Sequence, residues 1–587
     1  MFCKLNSFFY GFILTIVIPV FAQTYDLPIV FIDTEGKCLN HNIHAKIPAT
    51  IKVLDDKSNN VADSSKGIQY NIGIKVRGSL SRLFPKPNYS IEFHDSTGKD
   101  INVSLFGLPP SDDWILLGPY VDKSMVRNSF GHWLFRQTGR YSPRTKHFDL
   151  YINGAYRGVY VLMERIKRGK YRVDVNKIKE TDTEGENLTG GYIWTFDLAK
   201  RDKETSDETE FEFSTSGGAN VTLHYPITKK IANEQKEYLK NYLNDLEALF
   251  KDGKNGNEYE NYVDVASTVD FMLLQELAQN TKGYYSNLFM HKSKDKTDEQ
   301  GHKTAGKITL GPPGNFYLAF SNSNTPESSN DDKNKTDSNW TIEQTYNAFN
   351  STNGGGIGLR LAEWPLKIWK DSVFQIEASK RWAELRSGVW HTKVMDAYLD
   401  SMKTYLKNAA DRNFKRWPNL GKVSGQFDED PEPIKYCRTT EIPAMNPTIK
   451  IGSNADTWDG EFEYVRQKAK ERIAWMDKQF GFTEPASPVV FEPIIHEPDW
   501  RAEMGDTSKV SIEANNFSRL SPTNFFTVNG DHLEIHTSVG GSFALMDLNG
   551  AVLYKVHIKT GVTSLTIPAK ARDKHWIATL NGKMMNR

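Results

Sequence analysis

Hydrophobic and polar positions alternate along the first part of the chain, a pattern that predicts β-strands. Between residues 27 and 93 short apolar runs are separated by polar breaks, and the run 72–76 is a clear example. Asn153 and Gly154 separate two further runs of this kind. Because Asn-Gly tolerates positive φ angles at both positions, it predicts a β-hairpin with a type I′ turn.

From about Ile231 the apolar positions recur every three or four residues, which is the period of an amphipathic helix. The clearest series consists of Val265, Val269, Met272, Leu273 and Leu277. Three later segments, 379–390, 394–417 and 459–480, are predicted to be helical as well. Residues 200–215 and 322–356 are rich in polar residues and Gly, and are predicted to be exposed loops.

The N-terminal 22 residues have the pattern of a signal peptide. Lys4 precedes an apolar stretch of thirteen residues, and Ala22 ends the segment with a small residue. Thirteen residues are too few to span a bilayer as a helix. We therefore expect residues 1–22 to be removed and the protein to be exported, with the bacterial envelope or the cell exterior as its location.

The remaining chain is predicted to have three parts. Residues 23–481 form a large α+β unit with a β-rich N-terminal part and a helical C-terminal part. Residues 482–506 are rich in proline and are predicted to be a linker. Residues 507–587 alternate between short strands and Asn-Gly turns, and they predict a small all-β sandwich of a size that can fold alone.

Composition excludes several classes of protein. The 587 residues include 73 Lys+Arg and 73 Asp+Glu, and this neutral balance argues against a nucleic-acid protein that binds by bulk charge. Residues 141–175 are nevertheless net positive and residues 197–214 net negative, and the positive stretch suits phosphate. With 39% hydrophobic and 12% aromatic residues the chain is too apolar to be disordered. Beyond the N-terminus it has no long apolar run, which excludes a multi-span membrane protein.

The cysteines exclude a disulfide scaffold and a Cys-rich zinc site, because only three are present. Cys3 would leave with the signal peptide. Cys38 and Cys437 would remain, an even number that permits one disulfide in an oxidising compartment, although spacing alone does not pair them.

The signatures of zinc proteases, serine hydrolases and P-loop NTPases are absent from the sequence. Lys86 stands between two prolines, and a lysine on stiff backbone suits a fixed cation aimed at phosphate; a solvated lysine in a turn is the alternative. Asp122 and Ser124 precede a predicted helix and are suitable caps for it. Glu164 ends an apolar strand, where it could form a surface salt bridge or orient a buried lysine.

Several short motifs follow one another in a fixed order: Arg77-Gly78-Ser79, Phe84-Pro85-Lys86-Pro87-Asn88-Tyr89, Trp114-Ile115-Leu116-Leu117 with Asp122-Lys123-Ser124 and Arg127-Asn128, Asn153 to Tyr160 with Glu164, and Gly190-Gly191-Tyr192. In this order and at these residues the stretch from Leu27 to Gly481 resembles the CotH kinase family. The resemblance implies an atypical protein-kinase-like fold and phosphoryl transfer from ATP with Mg²⁺ or Mn²⁺ to an exported or envelope protein.

The resemblance also assigns roles to particular residues. Lys86 would contact the phosphates and Glu164 would pair with it, as the corresponding residues of kinases hold a nucleotide. Arg77 and Arg127 would join Lys86 in binding the nucleotide. The general base and the metal ligands would come from two acidic segments, one after the long helix and one after a Gly-Pro.

The sequence departs from the family at those acidic positions. Lys282 stands where the general base is expected, and Asn315 and Tyr317 stand where two metal-binding Asp residues are expected. Asn can coordinate Mg²⁺ through its carbonyl oxygen, which makes Asn315 a weak candidate ligand, but it brings no negative charge. A lysine does not act as a general base at neutral pH unless its pKa is strongly depressed.

Three functions are compatible with this pattern. The first is an exported kinase-like protein whose transfer machinery is degenerate but which retains phosphate or nucleotide binding. The second is an active kinase that recruits other carboxylates, such as Asp270, Glu276 or those in the loop 322–356. The third is a non-enzymatic adhesion or scaffold protein.

The third function has its own candidate residues. Trp364, Trp369, Trp382 and Trp417 could stack on carbohydrate, although core packing is the commoner role of such residues. The C-terminal module resembles the β-sandwich sorting domains that end some bacterial exported proteins.

Overall fold

A computed structural model of the chain describes residues 25–39, 45–55, 62–78, 81, 84–197, 211–251, 256, 258–322, 339–351, 360–422, 430, 453, 455–489, 524–529, 532–537, 541–547, 552–559, 561–566, 576–580 and 583–584. The predicted signal peptide, Cys437 and most of the predicted linker lie outside these residues. Cys38 lies within them and is disulfide-bonded.

The first seven strands form a closed barrel. They are β1 Ile29–Asp33, β2 Ile47–Leu54, β3 Ile68–Arg77, β4 Asn88–His94, β5 Asp113–Leu117, β6 Thr145–Ile152 and β7 Ala155–Glu164. Their order is β1-β2-β3-β4-β5-β7-β6, and the barrel closes where β1 pairs with β6 in parallel. Every second residue, such as Ile72, Ile74 and Val76, joins one apolar cluster that fills the interior, because successive side chains on a strand point to opposite faces.

The rest of the structure contains helices and another sheet; the first helix lies between β5 and β6, and the other elements follow β7. The helices are α1 Arg127–Gln137, α2 Gly185–Leu188, α3 Asn233–Ala248, α4 Val265–Ala278, α5 Thr341–Ser351, α6 Trp364–Trp369, α7 Ser372–Ser387, α8 Thr392–Arg416 and α9 Trp458–Gln479. The strands are β8 Tyr192–Phe196, β9 Phe211–Ser214, β10 Asn220–Tyr225, β11 Leu288–Lys292, β12 Lys296–Thr297, β13 Lys303–Thr304 and β14 Ile308–Pro313. Five of these strands form an antiparallel sheet in the order β14-β11-β8-β10-β9.

Several predicted elements are confirmed. The hairpin of β6 and β7 turns at Asn153 and Gly154, whose φ angles are 50° and 80°. The apolar series after Val265 forms α4, which is buried from Ser267 to its end and packs against α1, α7, α9 and β14. This helix is therefore the centre of the second part of the molecule.

Three predictions about this part are wrong in detail. The chain after Ile231 is not only helical, since it contains β11 and β14, two strands of the five-stranded sheet. The helix predicted at 379–390 begins at Ser372, because Asp371 caps it by accepting the Phe374 N–H. The polar stretches 322–356 and 200–215 are not loops throughout, because they include α5 and β9.

The four tryptophans proposed to stack on carbohydrate are core residues. Trp364, Trp369, Trp382 and Trp417 are each at most 2% exposed. Their rings lie among other buried aromatic and aliphatic side chains. The interpretation that they form a carbohydrate-binding surface is therefore wrong.

The C-terminal part forms two antiparallel sheets. One contains β15 Asn524–Asn529, β16 His532–Thr537 and β19 Gly561–Thr566; the other contains β17 Gly541–Asp547, β18 Val552–Ile558, β20 Trp576–Leu580 and β21 Lys583–Met584. Leu533 and Ile535 of the first sheet and Phe543 of the second are buried. These strands agree with an all-β module, while the sandwich itself stays a prediction. Among the described residues, no helix combines the length and the apolar character needed to cross a membrane.

Candidate functional site

Lys86 is buried where the barrel meets α8. It precedes β4 and is only 1% exposed, so the interpretation as a solvated turn lysine is wrong. Its Nζ donates to Asn413 Oδ1 at 2.7 Å and lies 5.1 Å from the centre of the Tyr160 ring. Burial, and after it the charge of Arg416, lowers the pKa of Lys86 well below its usual value.

Glu164 has other partners than Lys86. Its carboxylate accepts two N–H···O bonds from Arg144 Nη1, at 3.0 and 3.1 Å, and a third from the Arg144 backbone N–H at 3.0 Å. Arg172 Nη1 lies 3.5 Å from the same carboxylate, which is fully buried. Both arginines belong to the net positive stretch 141–175, so part of that charge is compensated inside the protein.

The expected pair of Lys86 and Glu164 is thus not formed, and the geometry of β7 explains why. Asn413, the partner of Lys86, also accepts the N–H of Val159 at 3.1 Å. Glu164 lies five residues further along the same strand, which corresponds to roughly 17 Å at the rise of a β-strand. Lys86 therefore contacts the middle of β7, whereas Glu164 lies at its end.

Arg77 and Arg127 occupy different positions in the fold. Arg77 ends β3 and pairs with Asn88 in the barrel sheet. Arg127 begins α1 and is fully buried; its Nη1 donates to Asp122 at 2.8 Å and its Nε to the Ala319 carbonyl at 3.1 Å. Asp122 also accepts the backbone N–H of Arg127 at 3.0 Å, but the N-cap of this helix is Val126, so Asp122 binds the first turn from outside and is not the cap that was predicted.

Lys282, Asn315 and Tyr317, which we call the Lys282 site, lie together although 33 to 35 residues separate Lys282 from the other two. Lys282 Nζ donates to the Tyr317 hydroxyl at 3.1 Å. Lys282 lies in a short turn after α4, and the other two residues follow β14. The structure thus brings together the three positions at which acidic residues were expected.

Buried amides connect the two segments of the Lys282 site. Asn280 and Asn287 each donate from Nδ2 to the Asn315 carbonyl at 3.3 Å. The Asn315 side chain donates in turn to Asn287 Oδ1 at 3.4 Å. Gly314 allows this approach, since a Cβ atom there would lie 2.7 Å from the Asn287 side chain.

Comparison with known families agrees with this arrangement. The sequence profile described as CotH kinase protein matches residues 74–476, which is more than half of the chain. The match includes Lys86, Glu164 and the Lys282 site. The chain belongs to the CotH kinase family. No curated protein matches the chain in sequence.

Membership of the CotH kinase family suggests a kinase-like function with ATP and a divalent metal, but the Lys282 site does not fit the metal. Mg²⁺ is held in phosphoryl-transfer enzymes by carboxylates and phosphate oxygens. Here the corresponding side chains are an amide and a phenol, and the phenol accepts a hydrogen bond from an ammonium group. A cation beside the expected metal position repels a second cation, so Lys282 opposes metal binding.

The carboxylates that an active CotH kinase could recruit instead have structural partners. Asp270 is bound by Arg140 Nε and Arg381 Nε, each at 2.7 Å. Glu276 is fully buried and binds Arg472 Nη2 at 2.8 Å, the Tyr284 hydroxyl at 2.6 Å and the first N–H groups of α5. Burial raises the pKa of Glu276, against the opposing effect of Arg472. Both carboxylates hold elements of the fold together.

Sequence reasoning did not identify Asn413 as the partner of Lys86, or Arg144 and Arg172 as the partners of Glu164. Asn413 lies 327 residues from Lys86, and a single asparagine near the end of a helix carries no signal of its own. Arg144 and Arg172 were recognised only as part of a basic stretch. Their positive charge can be read from the sequence, but the sequence does not show that both side chains contact the carboxylate of Glu164.

Proposed function

We propose that this protein is an exported member of the CotH kinase family that binds a ligand or partner without transferring a phosphoryl group. Family membership supports the kinase-like character. The observation that carries the proposal is the contact between Lys282 and Tyr317 at the positions of the expected base and metal ligand. Phosphoryl transfer needs one of these positions to receive a proton and the others to hold the metal ion, but an ammonium group cannot receive a proton, and an amide and a phenol bring the metal no negative charge.

The positions of Asp270 and Glu276 support the same proposal. Each carboxylate is held by at least one arginine in the interior. The pair of Glu276 and Arg472 is fully buried, and removing one partner of such a pair costs about 3–5 kcal/mol of stability; the arginines of Asp270 are 26–27% exposed, so their loss costs less. Recruiting either carboxylate to a metal would therefore destabilise the protein.

Export is supported by the signal-peptide pattern of residues 1–22 and by the disulfide at Cys38, since disulfides persist in oxidising compartments. We propose Cys437 as the partner of Cys38, because Cys3 would be removed with the signal peptide. N-terminal sequencing of protein recovered outside the cell should give Gln23 as the first residue. Recovery only inside the cell, with the first 22 residues attached, would contradict export.

A transfer assay tests the absence of kinase activity. The exported protein is incubated with labelled ATP and Mg²⁺ or Mn²⁺, with itself and casein as acceptors. We expect no transfer above the background without enzyme. The variant Lys282→Asp/Asn315→Asp/Tyr317→Asp should bind Mn²⁺ more tightly than the unmodified protein, because it restores three carboxylates and removes the ammonium group.

Two lysine variants provide the controls for this assay. Lys86→Met removes the buried charge at nearly constant length, and Lys380→Met removes an exposed lysine on α7. Transfer by the unmodified protein that is lost in Lys86→Met and kept in Lys380→Met would overturn the proposal.

A further inference from the structure

Two arginines from different elements lie over the ring of Trp417. Arg157 belongs to β7 and Arg416 is the last residue of α8. The central carbons of their guanidinium groups lie 5.1 and 4.0 Å from the centre of the ring. Stacking on an aromatic ring fixes the plane of a guanidinium group and therefore the direction of its N–H donors. We refer to Arg157 and Arg416 as the arginine pair.

The arginine pair holds the carboxylate of Asp430 between its two members. Arg157 Nη2 lies 2.6 Å from Oδ2, and Arg416 Nη2 lies 2.6 Å from Oδ1. Each arginine therefore contacts one oxygen, as paired arginines do when they bind an oxyanion. The arginine side chains are 2% and 4% exposed, whereas that of Asp430 is 14% exposed, so the anion occupies the more accessible side.

The position of the arginine pair is set by contacts that do not involve Asp430. Arg416 Nε donates to the Tyr156 carbonyl at 3.1 Å, and Trp417 Nε1 donates to the Arg157 carbonyl at 2.9 Å. Both bonds join the barrel hairpin to the end of α8. A different anion could therefore replace the carboxylate without moving the arginines.

Lys86 lies close to the arginine pair. Its partners are Asn413, which lies one helical turn before Arg416, and the ring of Tyr160; none of them is a carboxylate. After burial, the charge of Arg416 has the largest effect on the pKa of Lys86 and lowers it, Asp149 raises it, and Arg157 lowers it again. Two arginines contact the single carboxylate of Asp430, so the arginine pair suits an anion with more charge than a carboxylate.

We propose that Arg157 and Arg416 form a binding site for the phosphate group of a ligand, and that Asp430 is its intramolecular occupant. A phosphate monoester carries a charge of about −1.5 to −2 at neutral pH and offers three oxygens, and the planar fork of arginine matches this geometry. Phosphate binding would displace Asp430 from the arginine pair. The site does not depend on the proposed lack of transfer activity, because it uses none of the residues of the Lys282 site.

Calorimetric titration of the full-length protein with inorganic phosphate tests the site. In the unmodified protein the apparent affinity is reduced by the fraction of molecules in which Asp430 occupies the site. Asp430→Asn removes the competing charge at constant shape and should lower the dissociation constant at least tenfold. Asp396→Asn is the matched control, because Asp396 is also a half-buried partner of an arginine, Arg466 at 2.9 Å, but lies near the start of α8, at the opposite end from Arg416. It should bind phosphate as the unmodified protein does.

Two further variants assign the binding to the arginine pair. Adding Arg157→Gln or Arg416→Gln to Asp430→Asn should weaken phosphate binding at least tenfold. Phosphoserine and AMP are then used as competitors, which distinguishes a phosphate carried by a protein from one carried by a nucleotide. Inhibition by either compound supports the site, whereas phosphate binding that neither inhibits would indicate an adventitious ion only and overturn it.

Other outcomes would overturn the proposal as well. One is equal phosphate affinity in Asp430→Asn and the unmodified protein. Another is a loss of the near-UV circular dichroism of folded protein in both Asp430→Asn and Asp430→Ser, since a displaceable carboxylate cannot be essential for folding. The transfer assay distinguishes these failures from a failure of the proposed function, because phosphoryl transfer and phosphate affinity are measured separately.

Discussion

Burial decides which partners Lys86 and Glu164 have in this protein. Lys86 and Glu164 are both buried, and each has satisfied contacts of its own, with Asn413 and with Arg144. A buried charge must be paired or hydrogen-bonded, because its desolvation costs several kcal/mol. Lys86 and Glu164 therefore bind the residues that the fold places within hydrogen-bond distance, and they do not bind each other as the corresponding residues of a kinase would.

A double-mutant cycle tests the separation of Lys86 and Glu164. We expect the coupling free energy between Lys86→Met and Glu164→Gln to stay below about 0.5 kcal/mol, because the residues share no partner. The matched cycle of Glu164→Gln with Arg144→Met should give a coupling of about 1–3 kcal/mol. Urea unfolding of the single and double variants provides the free energies. A coupling above about 1 kcal/mol between Lys86 and Glu164 would show that the two residues do interact.

At the scale of elements, the contact of β7 with α8 connects the barrel to the helical part. Asn413 binds both Lys86 and the Val159 N–H, and Trp417 binds the Arg157 carbonyl. Gly158 makes this approach possible: its φ angle is 85°, and a Cβ atom would lie 2.6 Å from Asn413 Oδ1. The hairpin therefore needs glycine here both for its backbone conformation and for close packing.

Gly158→Ala should lower the free energy of unfolding by about 3 kcal/mol, from backbone strain and from the clash with α8. Gly154→Ala is the matched control, because Gly154 has a similar φ of 80° but no atom within 4 Å of the added Cβ. It should cost about 1 kcal/mol, from strain alone. Thermal and urea unfolding give both values. Equal losses in the two variants would mean that the contact with α8 contributes nothing.

At the scale of the whole molecule, buried histidines couple stability to pH. Burial lowers the pKa of His147 in the barrel and of His291 in the second sheet to about 4 each. The ordinary value for an unfolded chain is about 6.5. Below pH 6.5 the unfolded state binds protons that the folded state does not bind until about pH 4. The free energy of unfolding therefore decreases as the pH is lowered from about 6.5 to about 4. Burial raises the pKa of the Asp149 carboxyl, so its protonation favours the folded state as the pH is lowered and partly offsets the effect of the histidines.

His147→Gln should reduce the stability lost on acidification. The Gln amide can replace His147 Nε2 as the donor to the Met125 carbonyl, a bond of 2.7 Å, and it does not titrate. Between pH 7 and pH 5 the unmodified protein should lose about 2 kcal/mol more than this variant, from about 1.4 kcal/mol per pH unit below 6.5. Replacing the exposed His302 by Gln is the control and should leave the loss unchanged. Urea unfolding at both pH values provides the test, and equal losses in His147→Gln and the unmodified protein would contradict it.

The sequence alone determined the features that depend on neighbouring residues. The hairpin at Asn153 and Gly154 follows from the φ angles that these two residues tolerate. The helix α4 follows from its apolar period, and the family from short motifs in order. The expectation that Lys282, Asn315 and Tyr317 stand in place of acidic residues also came from the sequence, where Gly311-Pro312 and Leu318-Ala319-Phe320 flank the segment of Asn315 and Tyr317.

Only the tertiary structure decided how distant residues meet. The helix α5 went unrecognised because its first N–H groups are capped by Glu276, a residue of another helix. Lys86 and Asn413 are 327 residues apart, and Lys282 and Tyr317 are 35 apart. A local sequence pattern reflects backbone propensity and amphipathicity, and both depend on residues that are close together in the chain. The partner of a buried charge depends instead on which side chains the closed barrel and the packed helices bring within hydrogen-bond distance.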